Sequence, residues 1–366
     1  MSDRIPPPIT PAAEKTPTRI PSLDGLRAIS IVFVLWAHAR PTRGFPISWT
    51  PDGVTGVQMF FVISGFIITT LLLREQKDHA QLSLKAFYRR RAARILPPFG
   101  AFLLVVSAMG FCGLFPFSFR TDILQPLTFT IGFPWWSHHL AWEVRHTWSL
   151  SIEEQFYLLW PPLLIVLPKS ASLIAALAAA TAGPFVRVWI YQHPKSQGLS
   201  WTLVCNADII AWGCLLALMR FNHPGLTGKI ASWRPAIARL AAAAVLLFAP
   251  WYFHNAFVRK CPEWSTNALA VSAQAAATAF LILSLTELRK GAMYALLNLR
   301  LLQWIGRISY SLYLWQQLFL AETTRWWNRW PLNMMLALTA ATLSYYLIEQ
   351  PIRKWAAANR KRISRR

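Results

Sequence analysis

The sequence predicts an all-α fold: a polytopic membrane bundle of about ten transmembrane helices with both termini in the cytoplasm. Three observations predict it. Hydrophobic residues make up 55% of the 366 and charged residues only 14%. Long apolar runs recur from Ala28 almost to the C-terminus. The basic residues behind the net charge of +22 sit in short loops between those runs. That placement fits the positive-inside rule and anionic lipid or phosphate ligands, and not nucleic acid. The four cysteines (Cys112, Cys205, Cys214, Cys261) have no metal-ligand spacing, and at least three lie in apolar stretches. Neither a metal centre nor a disulfide framework is expected.

Taken in order, residues 1–20 are polar and proline-rich, without the apolar core of a signal peptide, and read as a cytoplasmic tail. A transmembrane domain over 21–350 follows, with spans at about Pro21–Ala39, Val54–Leu73, Ile95–Leu114, Leu150–Leu167 and Ser170–Tyr191. Further spans fall at about Leu203–Met219, Ile237–Tyr252, Asn267–Leu285, Trp304–Leu320 and Pro331–Ile348, before a basic cytoplasmic tail, 351–366. This threading puts 27 of the 37 Lys and Arg in the cytoplasm, which sets the orientation. The segment Ile123–Trp136 is a candidate eleventh span. It is only about 14 residues long, holds Pro126 and Pro134, and would invert every later loop against the charge rule. It is expected to be external or re-entrant.

Three constellations carry chemistry. The first is Arg27 with His38 on the first span. Eleven residues make about three helical turns, so the two share a face about 16 Å apart along the axis. Ionisable groups in a span are costly unless they face protein or water, and imidazole suits general-base work near neutrality. A roleless interfacial histidine competes on even terms, and Arg27 could simply pair with Asp24. The second is HTWSLSIEEQFYLLWP (His146–Pro161), where Glu153 and Tyr157 share a helical face at the level of His38. A carboxylate there can orient an imidazole, or merely complement a helix dipole. The third is FYRRRAARILPP (Phe87–Pro98), whose Arg90, Arg91 and Arg94 form a cytoplasmic cluster. Forked guanidiniums suit phosphate, although membrane anchoring is the alternative. An anion site inside, a base outside and an arginine between them match a donor with a charged head and a long arm. Coenzyme A has that shape.

These residues resemble the acyltransferase-3 family of membrane-bound O-acyltransferases. The resemblance covers about Ser22 to Trp355, through SLDGLRAISIVFVLWAH, GVQMFFVISGFIIT, FYRRRAARILPP, TWSLSIEEQFYLLWP, ADIIAWG, ISYSLYLW and YLIEQPIRKW in order. It implies a helical bundle of the bacterial inner membrane that takes an acyl group, most commonly acetyl, from cytoplasmic acyl-coenzyme A. The implied acceptor is an extracytoplasmic carbohydrate or glycolipid, with no permanently bound cofactor. His38 corresponds to the family histidine, Arg27 to its partner arginine, Arg91 and Arg94 to the pair that binds coenzyme A, and Glu153 to the family acid. The sequence departs at Asn206, where many members carry arginine, at Gln316, where histidine is frequent, and at Phe99, where tyrosine is. Asp208 of ADIIAWG is retained.

The expected mechanism docks the donor phosphates on Arg90, Arg91 and Arg94 and runs its arm past Arg27. His38, oriented by Glu153, removes the hydroxyl proton. An acyl-histidine route stays open. Trp148, Tyr157 and Asp208 are the expected acceptor-binding residues. The competing class is a transporter or flippase for a glycan or lipid-linked substrate, because intramembrane Arg and His also mark transport paths. No inverted repeat is evident to favour it. An inactive binding relative is the third reading, and the intact His38 and arginines count against it.

Overall fold

A computed structural model describes residues 20–363 except 43, 47–52, 80–81, 134–139, 194–198, 234–235, 247–262, 288–289 and 322–324. Helices are the regular elements, and no strand occurs among the described residues. The first helix, α1 (Pro21–Ala39), begins with proline, whose missing N–H is one that a first turn leaves unpaired anyway. It is followed by α2 (Gly53–His79) and α3 (Leu84–Phe111). The Ser83 hydroxyl caps α3 by accepting the Ala86 N–H at 3.3 Å. Pro97 and Pro98 lie inside α3. Then come α4 (Trp148–Val166), α5 (Lys169–Gln192), α6 (Leu203–Asn222), α7 (Pro224–Ser232), α8 (Ala236–Leu246) and α9 (Glu263–Glu287). The chain closes with α10 (Ala292–Leu297), α11 (Arg300–Trp315), α12 (Leu332–Ser344), a π turn at Tyr345–Glu349, and α13 (Gln350–Ile363).

Six of the described helices are long and apolar enough to cross a membrane: Pro21–Ala39, Gly53–Asp78, Leu84–Phe111, Lys169–Gln192, Leu199–Asn222 and Ala268–Glu287. The remaining expected spans are helical but shorter or more polar. Helix α4 carries the adjacent Glu153 and Glu154. Helix α8 is described only to Leu246, and 247–252 of its expected span lie outside the described residues. Helix α11 stops at Trp315 and gives way to a 3-10 turn at Gln316–Leu318. The Ile123–Trp136 segment holds only short turns, Arg120–Leu124 and Gln125–Leu127, and 134–136 lie outside the described residues. So do 1–19 of the N-terminal tail and Cys261. The expected basic tail continues as helix to Ile363.

Backbone proximity organises the bundle. Helix α2 lies against α6, with Gly65 on the Ile210 carbonyl and Gly213 on the Val62 carbonyl, and a Cβ at either glycine would collide with it. Apolar chains gain little from helix association within lipid, so close backbone approach through small residues has to supply the contact. Phe61 and Phe66 on α2 and Phe99 and Phe102 on α3 are fully buried in the apolar core. Large apolar side chains such as Leu104, Phe185 and Val166 are exposed on the outer faces of their helices, as expected of surfaces that meet acyl chains.

The Gly65–Gly213 contact yields a direct expectation. Gly213→Leu should destabilise the protein by about 1–3 kcal/mol through overpacking. Leu104→Ala, at a side chain 72% exposed, should leave stability unchanged. Thermal unfolding of both variants in the same detergent checks the contrast.

Candidate active site

A cavity of about 80 Å³ opens among α1, α2, α3, α4 and α11, and three arginines line it: Arg27, Arg91 and Arg94. Their positions follow from helix geometry. Arg91 and Arg94 are three residues apart on α3 and share a face, and Arg27 approaches from the first turns of α1. The Nε atoms of Arg27 and Arg91 are buried without a hydrogen-bond partner. Among the described residues, none of the three arginines forms an ion pair within 4 Å. The Arg91 guanidinium lies over the Tyr157 ring, 3.9 Å from its centroid, a cation–π contact. Glu153 lines the same cavity. Its carboxylate accepts the Tyr157 hydroxyl at 2.6 Å and the Ser64 hydroxyl at 3.1 Å. Buried guanidinium donors left open around a cavity are what a phosphate group requires.

At its far end the cavity meets Ser149 and Tyr313. The Ser149 and Tyr313 hydroxyls are 2.6 Å apart, and Tyr313 donates to the His146 carbonyl at 2.7 Å. His38, near the end of α1, is not part of the lining and connects to Tyr313 through His146 and Gln317. Its Nδ1 is 2.9 Å from Gln316 Oε1. A carboxamide oxygen only accepts, so Nδ1 carries the proton and Nε2 presents its lone pair. Gln317 places its Nε2 at 3.4 Å from that lone pair. The Gln317 amide is itself fixed, because its Oε1 accepts both the His146 backbone N–H at 3.1 Å and His146 Nδ1 at 2.7 Å. Burial pushes the His146 imidazole down to about 3, which keeps it neutral and makes it a donor of fixed orientation. Trp142 meets the His38 ring edge-on, with centroids 5.7 Å apart, and its own Nε1 donates to the Leu320 carbonyl at 3.2 Å.

The structure therefore divides the expected residues. Arg27, Arg91, Arg94, Glu153 and Tyr157 share one cavity, and His38 stands apart with two glutamines. Glu153 was expected to orient His38. Five residues into α4, it lies about 8 Å along the axis from Trp148, at the level of the arginines, and its oxygens serve Ser64 and Tyr157. Arg90 does not line the cavity and pairs through Nη2 with Glu75 at 2.5 Å, while its Nη1 is buried without a hydrogen-bond partner. Trp148, expected to bind the acceptor, packs edge-on against Phe61 and Trp201. Tyr157 is buried with the arginines. Asp208 is engaged by a fork of hydrogen bonds from Arg187, at 2.7 and 2.6 Å, and accepts Ser272 at 3.2 Å.

Sequence reasoning missed Arg187, Gln317 and the anchoring role of His146. A lone arginine inside the fifth expected span was the available signal for Arg187, since an intramembrane cation needs a partner. Gln316 was visible only as a departure from the histidine frequent in relatives. Its contact with His38 crosses 278 residues of chain, a separation that no local pattern encodes.

The fold and this site define a helical membrane protein with an arginine-lined cavity and, on the same first helix, a half-buried imidazole. Over residues 20–348 the chain matches the acyltransferase-3 family, described as an acyltransferase domain, and it belongs to that family. Among its relatives is the peptidoglycan O-acetyltransferase OatA of Listeria monocytogenes, 28% identical over 369 residues that cover 92% of this chain and 56% of that protein. Another is the O-acetyltransferase OatA of Staphylococcus aureus, 26% identical over 366 residues, covering 93% and 58% respectively. The chain thus spans a little over half the length of these curated relatives. No solved structure matches it.

The Arg187–Asp208 pair, with side chains 3% and 0% exposed, makes a sharp expectation. Asp208→Ala leaves a buried cation without its partner and should cost about 3–5 kcal/mol of stability. Replacing both partners (Arg187→Met with Asp208→Leu) should recover most of that loss. Unfolding midpoints of the single and double variants measure it, and a double variant no better than the single contradicts the account.

Proposed function

We propose that this chain is the membrane domain of an O-acyltransferase. It takes an acyl group, acetyl being the leading candidate, from acyl-coenzyme A on the cytoplasmic side and esterifies a hydroxyl of an extracytoplasmic carbohydrate. In this reading it is a multi-pass protein of the bacterial inner membrane with both termini in the cytoplasm. The observation that carries the reading is the pairing of two features on α1. At one end Arg27 joins Arg91 and Arg94 around a cavity with open guanidinium donors. About 16 Å along the same helix, His38 is held as the tautomer whose Nε2 is the acceptor, faced at 3.4 Å by the Gln317 amino group that an incoming hydroxyl would replace. The relatives' names support acetyl as the group and a peptidoglycan-like glycan as the acceptor.

The donor's phosphates dock on Arg91 and Arg94, with Arg27 next along the path. Arg90, committed to Glu75, contributes to the local positive field and does not grip the donor. The arm reaches His38 by parting the Ser149–Tyr313 layer. His38 Nε2 takes the proton of the acceptor hydroxyl as its oxygen attacks the thioester carbonyl. The C–S bond then breaks, and the imidazolium returns the proton to the departing thiolate. Gln316 keeps the proton on Nδ1 throughout the approach, acting as a positioning residue. Trp142, anchored beside the imidazole, is the aromatic best placed to stack on the acceptor sugar.

Purified protein in liposomes, given labelled acetyl-coenzyme A and peptidoglycan fragments, tests the reading. His38→Ala should lower kcat by about 10²–10⁴-fold. Arg91→Ala and Arg94→Ala should act chiefly on the donor KM, each raising it by about tenfold or more through loss of a charge-assisted hydrogen bond. Movement of unmodified glycan across the bilayer without acylation would overturn the enzyme in favour of a transporter. Thiol labelling that places position 38 and the Arg89–Arg94 cluster on one side of the membrane would overturn the two-sided route.

A further inference from the structure

A second basic cavity lies away from the arginines just described. It has a volume of about 730 Å³ and is bounded by the C-terminal part of α2, the start of α5, the end of α6 and the end of α9. Its charged lining is Arg74, Lys77, Lys169 and Arg220 against the single carboxylate Glu287. Glu287 is committed to Arg220 at 2.5 Å. Among the described residues, Arg74, Lys77 and Lys169 form no ion pair within 4 Å. The other acids of this stretch of α2 are Glu75, which is held by Arg90, and the exposed Asp78 beside Arg74. The cavity therefore keeps an uncompensated positive charge.

What adjoins it decides the ligand. Leu73, Gln76 and Lys169 also line a neighbouring cavity of about 350 Å³ whose other walls include Leu164, Ile165, Val166, Leu167 and Leu218. Ile165 and Val166 are exposed there, at 44% and 77%. Lys169 stands at the junction with its ammonium over the Phe221 ring, 5.5 Å from the centroid. A cationic hollow that shares lining residues with a groove of mixed character, part polar and part walled by leucine, isoleucine and valine side chains, at the end of membrane helices matches a molecule with a phosphate head and hydrocarbon chains. A soluble phosphate compound would have no use for the groove. Basic pockets between helices recognise anionic headgroups in this way.

We propose that this double cavity is a binding site for one anionic phospholipid, its phosphate held by Arg74, Lys77 and Lys169 and an acyl chain lying along Leu164–Leu167. None of these residues lines the cavity of Arg27, Arg91 and Arg94, so the site is separate from the acyl-transfer reading and does not rest on it.

Native mass spectrometry of detergent-purified full-length protein, loaded with phosphatidylglycerol or phosphatidylcholine, tests the proposal. Wild-type protein should retain one phosphatidylglycerol in preference to phosphatidylcholine, and millimolar glycerol 3-phosphate should not displace it. Each removed charge should weaken retention by about fivefold. The triple variant Arg74→Gln, Lys77→Gln, Lys169→Gln should then lose it, whereas Arg91→Gln with Arg94→Gln should keep it. If the triple variant fails to fold, Lys169→Gln alone, at an exposed position, should show the fivefold step. Equal retention of both lipids, or undiminished retention in variants that fold, overturns the proposal. Displacement by glycerol 3-phosphate overturns it in favour of a soluble phosphate ligand.

Discussion

Hydrocarbon does not solvate a guanidinium, and the arrangement of this protein follows from how each deep arginine answers that constraint. Arg187 is answered by Asp208 and Arg220 by Glu287, each through a short ion pair. Arg27, Arg91 and Arg94 have no such carboxylate and instead share a cavity. The contrast separates structure from function. A paired arginine ties α5 to α6, whereas arginines that converge from two helices without an ion pair leave buried donors open to a further anion. Glu153 alone does not satisfy those donors, because Tyr157 and Ser64 also draw on its oxygens.

The surroundings of His38 obey a different logic. A carboxylate partner would stabilise the imidazolium and raise its basicity, whereas a carboxamide fixes the tautomer with less influence on charge. Gln316 accepts from Nδ1, and Gln317 is locked by two donors of His146 so that its amino group faces Nε2. An imidazole so held is neutral, oriented and ready to accept a proton. It is not held as a preformed ion pair. Pre-positioned amides suit a base that must work in a buried layer, where an ion pair would carry a heavy desolvation cost.

Much of this was legible in the sequence because it is local. Helical periodicity put Arg27 and His38 on one face of α1, and the three-residue spacing did the same for Arg91 and Arg94. The helical class and the positions of the apolar segments followed from composition, and the order of short motifs gave the family. What failed were pairings between distant helices. Glu153 and His38 both belong to regions expected near one membrane level, but the register of α4 carries Glu153 to the arginines. For Trp148 and Asp208 a motif marks their positions without marking their neighbours. Phe61, Trp201 and Arg187, which engage them, come from other segments of the chain.

The consecutive prolines inside α3 have a mechanical consequence. Without N–H groups, Pro97 and Pro98 cannot bond to the carbonyls of Ala93 and Arg94 one turn earlier, while the Tyr310 hydroxyl takes the carbonyl of Ile95 at 3.0 Å. The helix nonetheless runs unbroken from Leu84 to Phe111, and a bond from α11 stands beside the backbone bonds it lacks just past its two cavity arginines. Bending α3 at that place would forfeit fewer of its own backbone bonds than bending it elsewhere.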